Sequence, residues 1–199
     1  MKRAYPQEDI ERLNIILENI DRHRKTHGVL KKTMHAKTGI PRQSMHKYRS
    51  GTAFPLLYPM ESWARYFEVH FVEILLSHKE MASMISHLLA TYSKDVAVSK
   101  HTNSTAIWHP SFLLSVPSNI KRRRKELRLT LRDVEELMGG ETTSTSLSRY
   151  ERGAPLNTRI IIPLSEVLET TTLELMTPKK HVASIVAMLG EKYAIQAGI

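Results

Sequence analysis

The sequence predicts an all-α chain folded as two tandem helical domains of five to six helices each, arranged as a pseudo-dimer. Three observations predict it. Apolar residues recur at helical spacing through most of the 199 residues. Two short helix pairs, each with a glycine corner, lie about a hundred residues apart. Three segments also repeat in the same order at nearly one offset: NIDRHRK at 19–25 with NIKRRRK at 119–125, YRSG at 48–51 with YERG at 150–153, and ASMISHLLATY at 82–92 with ASIVAMLGEKY at 183–193. Such a repeat marks an internal duplication.

Composition narrows the class. Hydrophobic residues make up 41% of the chain, enough for an ordinary core, and no cysteine is present, which excludes a disulfide scaffold and a thiolate zinc site. That usage fits a reducing cytoplasm. No apolar run approaches a membrane span, and MKRAYPQEDI has no apolar signal region, so a cytoplasmic protein without a membrane partner is expected. The net charge is +9, split as +6 before and +3 after residue 100, and favours a polyanionic partner.

Taken in order, ERLNIILENIDRHRK at 11–25 sets Leu13, Ile16, Leu17 and Ile20 on one helical face. GVLKKTMHAKTGIPRQSMHKYRSG at 28–51 reads as two short helices. Gly39 supplies the corner, because glycine tolerates the positive φ such a turn needs. Pro41 suits a first helical turn, and Met45 and Tyr48 share the inner face of the second helix. Tyr48 and Tyr150 are expected in the core. Pro59 opens a helix carrying Met60, Trp63, Ala64 and Phe67; FVEILL is a shorter one. Residues 79–93 form a sixth, with Met81, Met84, Ile85, Leu88 and Tyr92 on one side. The period then fails, so 94–110 reads as a linker between a first domain, 1–93, and a second, 111–199, with Trp108 packing on a neighbouring domain.

The two-helix stretch with outward Arg42, Gln43, His46 and Lys47 has the form and chemistry of a helix-turn-helix. IKRRRKELRLTLRDVEELMGG followed by TSTSLSRYERG, with NTRIIIPLSEVLE and TTLELM after it, resembles the Cro/CI-type (XRE) helix-turn-helix family. The first copy matches that spacing from Gly28 to Leu75. The resemblance implies a sequence-specific double-stranded DNA-binding transcriptional regulator that reads two unequal half-sites. It puts base readers at Arg42, Gln43 and Lys47, with His46 beside them, and at Ser144, Thr145 and Arg149. Arg matches guanine O6/N7 and Gln matches adenine N6/N7. Where the family opens its second helix with a phosphate-binding Gln, this chain has Lys31, which can meet phosphate, and Leu131, which cannot. Lys32 beside Lys31, Arg22, Arg24 and Lys25, and their counterparts Arg122, Arg124 and Lys125, are the expected phosphate contacts.

Other chemistry finds little support. His23 and His27 stand four apart, but no third ligand accompanies them, so no metal is expected. Without a Walker loop, GxGxxG or GxSxG, neither a cofactor nor an enzyme is expected. The alternatives are a protein-interaction module of the same fold, as antitoxin or adaptor, and an architectural or recombination accessory. Further self-association or a protein partner is compatible with each.

Overall fold

The computed structural model describes residues 5–99 and 112–194, and among them every regular element is a helix. Trp108 lies outside the described residues. The first run comprises α1 (Gln7–Thr26), α2 (Lys31–Thr38), α3 (Arg42–Arg49), α4 (Leu57–Phe67) and α5 (Val72–Leu75), followed by α6 (His78–Thr91) and α7 (Ser93–Ser99). The second comprises α8 (Phe112–Glu126), α9 (Leu131–Leu137), α10 (Ser144–Tyr150), α11 (Thr158–Val167) and α12 (Thr172–Met176), followed by α13 (Lys179–Ala194). No described helix is long and apolar enough to cross a membrane.

Helical spacing explains the core. In α1, Leu13, Ile16 and Ile20 are buried, and Asn19 sits on the same stripe. That asparagine is buried because it has work there: its Nδ2 donates to the Ile74 and Leu76 carbonyls, which close α5. Asn119 makes the same bonds from α8 to the Leu175 and Thr177 carbonyls. A buried amide without such partners would be costly. Trp63 and Phe67 of α4 are fully buried, and truncating either would cost about 3–5 kcal/mol. Pro59 occupies the first turn of α4, where its missing N–H leaves no intrahelical bond unmade. The stripe of α6 buries Met81, Ile85 and Leu88, and leaves Met84 and Tyr92 half-buried.

Several boundaries differ from the sequence reading: α4 opens at Leu57, two residues before Pro59, and α6 spans His78–Thr91 rather than 79–93. The first helix begins at Gln7, not residue 11, since a polar first turn carries no apolar period. Residues 94–99, expected in the linker 94–110, are helical in α7, which packs on α13 and buries Val96. A stretch as short as SKDVAVS shows no helical period in sequence.

The two runs meet along a seam at which two pairs of contacts are reciprocal. Leu57 N–H donates to Leu156 O, and Thr158 N–H donates to Pro55 O, each at 3.0 Å, around an isolated bridge between Leu56 and Asn157. Tyr92 donates to Glu174 at 2.7 Å, and Tyr193 donates to Glu73 at 3.2 Å. In both pairs, residues 101 positions apart exchange roles. Helices α6 and α13 cross so closely that a Cβ on Gly190 would lie 3.1–3.2 Å from the δ carbons of Leu89. The buried His70 reaches Thr177 across the same seam, and Arg159 donates to Asp9 at 2.5 Å.

Candidate nucleic-acid interface

Helix α2 ends on Gly39 in the left-handed region (φ 70°), the conformation that glycine adopts without a Cβ penalty. Ile40 is buried in the corner, Pro41 stands at the N-cap, and α3 starts at Arg42. Met34, Met45 and Tyr48 turn inward, and the Tyr48 ring meets Trp63 edge-on at 6.2 Å. Burial pushes the Tyr48 hydroxyl pKa up. The residues of this helix pair expected to read or hold DNA lie on the other side: Lys31, Lys32, Arg42, Gln43, His46 and Lys47 are all exposed. Between residues 31 and 49 there are six Lys or Arg and no carboxylate.

The second corner is built differently. Gly139 and Gly140 both take positive φ, Thr142 is buried, and the Thr143 side chain caps α10 by accepting from Ser146 N–H. Thr145 and Arg149 are exposed, and Ser144 is half-buried. The Ser144 N–H donates to Glu135 Oε2 at 2.8 Å, and this bond holds the Glu135 carboxyl below its ordinary range. A carboxylate therefore already sits at the head of α10, where a DNA phosphate would otherwise find free N–H groups. Leu131 is half-buried and Leu137 is exposed. Between residues 131 and 150, Arg132 and Arg149 face Asp133, Glu135, Glu136 and Glu141. This reversal of charge was not among the sequence expectations, although a count over those twenty residues shows it.

The basic runs on α1 and α8 divide. Arg22, Lys25, Arg122 and Lys125 are exposed. Lys25 pairs with Asp21 and Arg122 with Glu126 along their own helices. Arg24 and Arg124, expected on the phosphate backbone, turn inward instead. Arg24 donates to Asp21 and to the Val29 carbonyl, and with Lys25 it pulls the Asp21 carboxyl down to about 2. Arg124 holds Glu151 through two bonds of 2.6 and 2.9 Å and donates to the Leu129 carbonyl. Each thus ties its first helix to the loop before the next. Sequence alone cannot separate an outward arginine from one whose partner lies 27 residues away.

Among the described residues no group of three His, Asp or Glu could hold a metal ion. No curated protein and no solved structure matches the chain. Residues 120–175, which run from α8 through α12, match the helix-turn-helix family model, and that match points to a DNA-binding regulator of the XRE type.

Proposed function

We propose that the chain is a sequence-specific duplex-DNA-binding transcriptional regulator, and not an enzyme. In this reading, residues 1–93 and 111–199 are two tandem helix-turn-helix units that replace the two subunits of a homodimer in the cytoplasm. The carrying observation is the α2–α3 face, where Arg42, Gln43, His46 and Lys47 are exposed above a cation-rich, carboxylate-free helix pair. Arg42 and Gln43 supply base readout, Lys47 and His46 flank them, and Lys31 and Lys32 meet phosphate with Arg22 and Lys25 behind. In the second unit Arg149 and Thr145 read a weaker half-site, with Ser144 beside them and Arg122 and Lys125 near the backbone. The reciprocal seam contacts support the pseudo-dimer.

The test is selection of bound duplexes from a random pool, followed by affinity at several salt concentrations. A regulator gives an enriched, imperfectly palindromic site and a steep salt slope. Recovery of no preferred sequence sinks the reading. A second reading, a protein-interaction module, is favoured for the second unit alone by its acidic α9 and the exposed Leu137.

A further inference from the structure

Two clefts lie along the seam, and they are twins. One, of about 550 Å³, is walled by Arg22, His23, Phe67, Glu73, Lys192 and Tyr193. The other is walled by Arg122, Arg123, Glu169, Glu174 and Tyr92. The register between them is fixed by backbone as well as by sequence. Glu68 and Glu169, just past α4 and α11, are both left-handed, at φ 53° and 47°. The next residues, Val69 and Thr170, donate to the Ala64 and Ser165 carbonyls in the same way. Asn19 and Asn119, one turn before His23 and Arg123, make matching bonds.

In the second cleft, which keeps about 630 Å³ of open space, Arg123 lies along the wall. Its Nε donates to the Leu168 carbonyl at 2.9 Å and its Nη2 to the Glu169 carbonyl at 2.7 Å. These are the open carbonyls at the end of α11, which sit at the negative end of a helix dipole and suit a cation. In the first cleft the corresponding carbonyls are those of Phe67 and Glu68, and among the described residues they accept no hydrogen bond. His23 stands where Arg123 stands, 8% exposed, and its Nε2 has no partner. A buried polar atom left unmade costs about 1–3 kcal/mol. Burial lowers the His23 pKa, so the ring is neutral and can accept. Phe67 stacks on the His23 ring at 5.9 Å and meets His27 at 5.5 Å, which gives the cleft an aromatic floor. Glu73 is taken up by Lys192, Tyr193 and the His70 N–H. Arg22 stands at the rim where Arg122 stands in the twin; there Glu126 pairs with both Arg122 and Arg123, whereas the first cleft has Thr26 at that position and Glu68 as its rim carboxylate.

We propose that the first cleft binds a small molecule bearing a guanidinium group, which takes the place that the Arg123 side chain fills in its twin. The guanidinium donates to the Phe67 and Glu68 carbonyls and to His23 Nε2, and its plane lies over the aromatic floor.

Methylguanidinium is the probe, with methylammonium at equal ionic strength as control, both added to the full chain at low millimolar concentration. The expected result is a saturable shift of the His23 and His27 imidazole NMR signals with methylguanidinium, with half-saturation on the order of millimolar for so small a ligand; His27, which lines the cleft against Phe67, is the reporter in the His23 variants. The control gives no saturable shift. His23→Arg supplies the guanidinium covalently: its Tm rises without ligand and the ligand response disappears. His23→Gln keeps an acceptor and retains a weakened response, which covers the case of an arginine variant that fails to fold. A wild-type chain whose His23 signals respond equally to both cations, or to neither, overturns the proposal. So does a folded His23→Arg that still responds as wild type.

Discussion

The α2–α3 and α9–α10 faces have the same helical order and opposite electrostatics. The first presents Lys31, Lys32, Lys37, Arg42, Lys47 and Arg49 without a carboxylate; the second sets Asp133, Glu135, Glu136 and Glu141 against Arg132 and Arg149. The family match falls on the second face, and the chemistry for holding a polyanion falls on the first. Each helix pair is kept by its buried residues, Met34, Met45 and Tyr48 in the first and Val134 and Leu147 in the second. Its outward residues are free to diverge, so likeness to a family and retention of the family's contacts are separate properties.

The comparison can be broken most sharply at the inward arginines. The Arg124 and Glu151 side chains are 13% and 7% exposed, and Arg124→Ala would strand a buried carboxylate at a cost of about 3–5 kcal/mol. Arg24→Ala leaves the more exposed Asp21 and should cost well under half of that. Urea denaturation of the two variants measures both. Equal losses would mean that the halves brace their loops alike.

Next is base readout. Arg42→Ala should cost about 1–3 kcal/mol on the selected site and relax preference at one base pair, while Arg149→Ala should cost less than about 1 kcal/mol. Quantitative binding to wild-type and singly substituted operators reads this. A larger loss from Arg149→Ala would reverse the ranking of the two faces.

The seam carries an asymmetric titration. His70 is buried and its pKa is pushed down to about 3 by desolvation, while Thr171 stands at the twin position in the second run. Above about pH 6.5 the ring is neutral in both folded and unfolded chains. Below that, only the unfolded chain takes up the proton, so stability falls by up to about 1.4 kcal/mol per pH unit toward pH 3. His23, also lowered by burial, acts in the same direction. Stability profiles of wild type and His70→Gln between pH 7.5 and 5 isolate the His70 share. Parallel profiles would show that His70 does not titrate across this transition.

The smallest effect tests the acidic face. Glu136→Gln with Glu141→Gln removes two exposed charges and should raise affinity for random duplex about two- to fivefold at low salt, with no change at high salt. No change at low salt would place α9 away from DNA altogether.

Much of the fold was legible in the sequence because local rules govern it. The stripes of α1 and α6 have helical periods, and Gly39 followed by Pro41 is a helix stop and a helix start. The outward positions Arg42, Gln43 and Lys47 follow from Met45 and Tyr48 facing in. What stayed hidden depends on distant partners. The helix α7 exists against α13, Arg124 turns in for Glu151, and His23 is buried under Phe67. In each case the deciding residue is tens of positions away.

At the crossing of α6 and α13, Leu89 faces Gly190. In a homodimer, whatever stands on the axis must meet a copy of itself. Leucine against leucine would overlap at this backbone separation, and glycine against glycine would leave a hole. Under the tandem reading, covalent fusion lifts that demand: one half carries a side chain for which the other leaves room. Under the same reading, neither half duplicated alone would rebuild the crossing. Held together in this way, the pair can drift apart in surface charge while the scaffold that joins them stays intact.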